Sequence, residues 1–112
     1  MPALSPAAAP LRVTVEFGGG LEVLFGGQKR LASLALPADV RTLGALVRWL
    51  AGPSGLLLAT DRVDLFARPG GAGVRPGVLV LVDDTDWELE GGPARALAGG
   101  ETVAFISTLH GG

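Results

Sequence analysis

The sequence predicts an α+β fold in which one helix packs on one face of a mixed sheet. Three observations predict it. Apolar and polar residues alternate from Leu11 to Phe17, an unbroken apolar run occupies Val78 to Val82, and one long stretch, Val40 to about Ala51, carries helical spacing. One helix cannot cover both faces of a sheet, so it packs on one of them.

The elements follow in order. Leu11, Val13, Val15 and Phe17 share a face, with Arg12, Thr14 and Glu16 on the other, so the first strand is half-buried. Gly18-Gly19-Gly20 stops it, and Leu21 to Phe25 fits one helical turn or a short strand. After Gly26-Gly27, Gln28 to Leu36 reads as a second, antiparallel strand with Leu34 and Leu36 on one face, ended by Pro37. Asp39 is the expected N-cap of the helix, whose apolar face is Val40, Leu43, Val47 and Leu50 with Leu46 beside them. Gly52-Pro53 ends that helix. Leu56-Leu57-Leu58 fits a further helical turn and Asp64-Leu65-Phe66 a short extended segment; Arg68 to Gly73 is too rich in Gly and Pro for regular structure. Val78 to Val82 reads as a strand buried on both sides. Asp83 to Asp86 is a polar turn, Trp87-Glu88-Leu89 a short edge strand, and Thr102 to Ser107 the last strand, with Val103 and Phe105 on one side and Ala104 and Ile106 on the other. This order fits a β-grasp, a mixed sheet curled around one helix with the last strand central. A central last strand delivers a free C-terminal Gly-Gly tail.

The 112 residues make one domain. Its expected organisation is a disordered lead-in over 1–10, a β-grasp domain over 11–107 and a flexible tail over 108–112. Hydrophobic residues are 48% and aromatics only 5%, so the core is expected to be mainly Leu, Val and Ala. A net charge of −2 argues against direct nucleic-acid binding, and no apolar run approaches a membrane span. No cysteine is present, which excludes a thiol nucleophile, a disulfide and a cysteine persulfide. A single histidine, His110, excludes a multi-histidine metal site. No metal site is expected at Asp83, Asp84, Asp86 and Glu88 either, because they lack the ligand set and central glycine of a calcium loop. Trp87 is expected to pack against the sheet, and Trp49 fits either the core or a contact patch. Lys29, the only lysine, is read as a solvated turn residue.

The tail is the remaining candidate for chemistry. Thr108-Leu109-His110-Gly111-Gly112 puts a carboxylate on two residues without side chains. Glycine tolerates close approach, so such an end passes a channel too narrow for other residues. The main-chain carboxylate would then be the functional group.

Four stretches together resemble the ubiquitin-related modifier family: Val15 to Leu21 (VEFGGGL), Val74-Arg75-Pro76-Gly77, Leu79 to Leu89 (LVLVDDTDWEL) and Phe105 to Gly112 (FISTLHGG). The resemblance covers roughly residues 11 to 112. It departs in the lead-in, in the Gly-rich loop from Arg68 to Gly73, and in the scarcity of lysine around the helix. The resemblance implies a ubiquitin-like sulfur carrier and protein modifier, not an enzyme. An ionised carboxylate is a poor electrophile, and in the family an E1-like adenylating enzyme with a rhodanese sulfurtransferase domain activates it with ATP. Carried over, Gly112 is adenylated, attacked by a persulfide and released as a thiocarboxylate. Its implied fates are sulfur donation through a tRNA thiolation complex, giving 2-thiolated wobble uridine in cytosolic tRNAs, and conjugation to target protein lysines. The chain itself holds no cofactor, the implied location is cytoplasmic, and the chain already ends at the reactive glycine. Gly111 gives clearance, and His110 and Leu109 are tail and partner contacts. Two rival readings stand beside this one. A β-grasp carrier of another pathway, such as the molybdopterin type, shares the tail chemistry, whereas a passive ubiquitin-like interaction module needs no free terminus.

Overall fold

The structure, a computed structural model, describes residues 10–69 and 73–108. Its strands are β1 (Arg12–Gly18), β2 (Arg30–Ala35), β3 (Val78–Val82), β4 (Thr85–Asp86) and β5 (Thr102–Ser107), and the one α-helix among the described residues is α1 (Leu43–Ala51). Short 3-10 turns fill the connections at Leu21–Phe25, Thr60–Leu65, Trp87–Glu90 and Gly92–Ala94. The sheet order is β2-β1-β5-β3-β4, with β5 parallel to β1 and antiparallel to β3. The expected mixed sheet, single main helix and central last strand are all present.

The core lies between α1 and one face of the sheet. Leu43, Leu46, Val47 and Leu50 are fully buried against Val13, Val15, Val80, Val82 and Val103. Leu and Val supply most of the core as expected, but Ala contributes little and Phe contributes much. All four phenylalanines of the chain meet in one cluster: Phe17 stacks on Phe25 with centroids 3.9 Å apart, and Phe66 meets Phe25 and Phe105 edge-on at 5.3 and 5.2 Å. Offset and edge-on pairs are the favoured ring geometries and add to the burial of the rings themselves.

Several elements differ from the sequence reading. The helix begins at Leu43 rather than Val40, and its N-cap is Thr42, whose Oγ1 accepts the Ala45 N–H at 3.1 Å. The cause is a long-range pairing. The Leu43 N–H donates to the Arg95 carbonyl (3.0 Å) and the Leu97 N–H to the Arg41 carbonyl (2.8 Å), so residues 41–43 are held extended beside 95–97. Asp39 sits instead in the turn closed by the Val40 N–H on the Pro37 carbonyl. Thr42→Ala is expected to lower stability by about 1 kcal/mol, the usual worth of a lost N-cap, read as a drop in denaturant midpoint at unchanged slope.

The second strand is bulged rather than evenly alternating. Val13 faces Leu34 but Val15 faces Leu31, so β2 carries an extra residue; Ser33 takes φ 51 and its N–H donates to Thr14 Oγ1 at 3.3 Å. Leu31 and Leu34, three apart, both pack against the core as a result. Leu56-Leu57-Leu58 forms no helical turn: the Leu58 and Ala59 N–H groups both donate to the Leu24 carbonyl, tying this segment to the first 3-10 turn. Asp64 and Leu65 belong to a 3-10 turn, not an extended segment, and Phe66 caps it as a fully buried side chain. The strand β3 buries Val80 and Val82, but Leu79 and Leu81 are only half-buried, because the single helix covers one face. At the sheet edge the pairing residues are Thr85 and Asp86; Trp87 opens a 3-10 turn and is buried, while Leu89 is exposed. Among the described residues, no helix is long and apolar enough to cross a membrane.

Candidate functional site

The tail residues Leu109, His110, Gly111 and Gly112 lie outside the described residues. The site can be built up to its last described residue, Thr108. The strand β5 ends level with both neighbours: Ile106 is beside Gly18 of β1, and Ser107 faces Val78 of β3. Two glycine turns stand at that end.

On the β1 side, Gly19 has φ +67, and a Cβ placed on it would lie 2.0 Å from the Ser107 carbonyl oxygen. Only a hydrogen fits there, and only glycine takes that conformation without strain. On the β3 side, Gly77 has φ +96, and its carbonyl accepts two hydrogen bonds from Thr108: from the backbone N–H at 2.8 Å and from Oγ1–H at 2.6 Å. The glycine triplet at 18–20 and the Val74-Arg75-Pro76-Gly77 stretch are thus brought together around the end of β5, although they are far apart in sequence. Sequence reasoning singled out both stretches but not their meeting. The available signal was a run of glycines directly after one strand and a Pro-Gly directly before another.

The acidic turn serves the opposite end of β5. Asp83 and Asp84 take φ 47 and φ 70 between the paired residues Val82 and Thr85, the left-handed pair of a type I′ hairpin turn. The Asp83 N–H donates to the Thr102 carbonyl, and Asp83 Oδ1 accepts the Thr102 N–H, both at 2.9 Å. Asp86 Oδ1 accepts the Glu88 N–H at 2.9 Å and starts the turn that carries Trp87. Two of these carboxylates therefore hold backbone.

Glu101, which sequence reasoning passed over, fixes the start of β5. It is 8% exposed and receives the Arg95 guanidinium on both oxygens, at 2.8 and 2.7 Å, with the Ala98 N–H at 2.7 Å; Arg95 also reaches Glu90 at 3.2 Å. The Arg95 hydrogen bond holds the Glu101 carboxyl below the ordinary carboxylate range, against the opposing effect of burial and with help from Ala98. A depressed carboxylate stabilises the fold above the pH at which the unfolded glutamate ionises, about 4.3. That contribution is lost as pH falls through the lower folded value. Glu101→Gln is expected to cost about 2 kcal/mol at neutral pH, the scale of a hydrogen bond to a charged group. It should also flatten the acid limb of the stability–pH curve, which urea melts at a series of pH values would show.

A groove of about 700 Å³ lies beside α1, lined by Trp49, Arg48, Pro37, Val63 and Pro69 among others. It settles the two readings of Trp49: the ring is half-buried, packed on the core from one side and lining the groove with the other. None of the residues at the exit of β5 lines it. Lys29 is exposed, and its carbonyl accepts the Phe17 N–H.

Known proteins match this chain over nearly its whole length. The family model described as Urm1 (Ubiquitin related modifier) matches residues 12–112. The human protein named ubiquitin-related modifier 1 is 46% identical over 109 residues, covering 94% of this chain and 99% of its own. A homologue from Chlamydomonas reinhardtii is 41% identical over 105 residues, covering 91% and 99%. Among solved structures, Urm1 from Trypanosoma brucei superposes with a TM-score of 0.69 at 39% identity, covering 97% of this chain and all of that one. CysO from Mycobacterium tuberculosis superposes with a TM-score of 0.60 at 29% identity, covering 87% and 99%. By near-full-length identity and by fold, this chain belongs to the ubiquitin-related modifier family of ubiquitin-like proteins.

Proposed function

We propose that this chain is a sulfur carrier and protein modifier that acts through its C-terminal carboxylate at Gly112 and is a substrate rather than an enzyme. The observation that carries the reading is the position of β5. The strand is central in the sheet, and its exit is walled by Gly19 and tied by Gly77, so the four residues after Thr108 start from a fixed point. The family match runs through the same ending.

The chemistry follows from the weakness of a carboxylate as an electrophile. A Gly112 oxygen attacks the α-phosphate of ATP on an E1-like enzyme, and pyrophosphate leaves. The terminal sulfur of a persulfide on that enzyme's rhodanese domain then attacks the carbonyl, AMP leaves, and an acyl disulfide forms. A thiol cleaves the acyl disulfide reductively and frees the thiocarboxylate. The sulfur goes to a tRNA thiolation complex for the wobble uridine of cytosolic tRNAs, or the carbonyl is joined to a lysine of a target protein. No side chain of this protein takes part in bond making; Gly111 provides clearance, and Leu109 and His110 contact the activating enzyme. The protein works in the cytoplasm, holds no cofactor and uses the ATP of its partner.

The test is the intact mass of the protein purified from cells that contain the activating enzyme. The expected result is a gain equal to oxygen replaced by sulfur, confined to the C-terminal peptide. A terminus that stays unmodified, in a protein still functional without Gly111 and Gly112, would leave only the passive binding module.

A further inference from the structure

Thr108 is bonded twice to one carbonyl, and the second of those bonds does not belong to the sheet. The backbone N–H of Thr108 extends the β3–β5 ladder onto Gly77, as any residue's would. The Oγ1–H adds a bond of 2.6 Å to the same oxygen, across 31 residues of sequence. Pro76 and the left-handed Gly77 turn that carbonyl toward the end of β5, and Gly19 closes the other side against Ser107. The chain is therefore tied one residue beyond the end of the strand, and four residues, Leu109 to Gly112, follow the tie. Four residues span at most about 13–14 Å when fully extended.

We infer that the Thr108–Gly77 clamp is a positioning device that sets the length of the reactive arm. It fixes how deep the Gly112 carboxylate can reach into an adenylating enzyme docked against the end of the sheet. The inference rests on the proposed carrier function. The partner it fits is a nucleotide-dependent acyl-activating site at the bottom of a channel about four residues deep. Without the hydroxyl, Thr108 is held to Gly77 by one bond instead of two, and the tie point shifts back toward Ser107 more of the time. More backbone must then be ordered each time the tail enters the channel, which costs entropy. Thr108 touches neither ATP nor the reacting carbonyl, so it positions rather than catalyses.

The experiment is ATP–pyrophosphate exchange by the purified activating enzyme with the full chain as substrate. Wild type, Thr108→Val, Thr108→Ser and a form lacking Gly112 are compared, with thermal melts of each. Valine keeps the side chain's shape and leaves the backbone N–H in place but removes the hydroxyl; serine keeps the hydroxyl. Thr108→Val is expected to lower kcat/KM about fivefold, the weight of one net hydrogen bond, with no more than the fall of about a few degrees in melting temperature that one such bond carries. Thr108→Ser should restore the wild-type rate. Thr108→Val exchanging as fast as wild type, or Thr108→Ser failing with it, would overturn the clamp and leave the carrier function standing. No exchange with wild type, or undiminished exchange without Gly112, would overturn the carrier function and the clamp with it.

Discussion

Deleting Gly112 is expected to abolish sulfur loading, by a hundredfold or more, without changing the fold. The arm after Thr108 has four residues, and removing one draws the terminal carboxylate back by about 3.3–3.6 Å. Misplacing a reacting group by about 1 Å already costs roughly a hundredfold in rate. The truncated chain would also present His110-Gly111 where Gly111-Gly112 belongs, so an imidazole would have to enter the part of the channel cleared for glycine. Stability should not move, because the residue removed has no side chain to bury. The measurement is the fraction of thiocarboxylate by intact mass beside a thermal melt. A truncated chain that still gains sulfur at its end would refute the role given to Gly112. A truncated chain that melts early would mean that the tail also serves the body.

Gly19→Ala should be the most damaging single-methyl change at the exit, with a loss of about 3 kcal/mol or more. Two costs add there. Alanine at φ +67 is strained by about 1 kcal/mol. Its Cβ would also lie 2.0 Å from the Ser107 carbonyl oxygen and 2.9 Å from the carbonyl carbon and amide nitrogen of the same residue. All three are backbone atoms of the central strand, so no side chain can swing aside; β5 must move from its place beside β1, or the turn must open. Gly20→Ala is the matched control. Gly20 also has a positive φ, +99, but nothing lies within 4 Å of its would-be Cβ. It should cost about 1 kcal/mol, the conformational part alone. Denaturant melts of the two variants separate the terms, and equal losses would show that the close approach to Ser107 carries no weight. Because the same contact walls the exit, Gly19→Ala should also slow sulfur loading beyond what its lost stability explains.

Local pattern in the chain was enough for much of the architecture. The alternation of β1, the apolar run of β3 and the two faces of β5 are properties of five to seven neighbouring residues. All three formed strands, but β3, read as buried on both sides, buries only the face under the helix. The helix face of Leu43, Leu46, Val47 and Leu50 was legible in the same way at a different period. The candidate chemistry was legible too, because Gly112 and the residues before it form one contiguous motif, and the absence of cysteine removed the rival nucleophile.

What failed to show in the sequence depends on partners far along the chain. Asp39 is a sound cap by local rules, but the pairing of residues 41–43 with 95–97 holds the backbone extended until Thr42. Leu31 reaches the core only through a bulge opposite Thr14, and Phe66 is fully buried only because Phe25 and Phe105 arrive from other elements. Glu101 looks like a loop residue until Arg95 and Ala98 close on it.

The sequence by itself determined an α+β chain with one helix, a sheet of alternating strands and a glycine-ended tail, because periodicity and terminal chemistry are written in adjacent residues. Only the tertiary structure decided where the helix starts, how β2 is registered and where the tail leaves the body. Each of those is set by hydrogen bonds and close contacts between segments brought together by burial, such as Gly19 with Ser107 and Gly77 with Thr108.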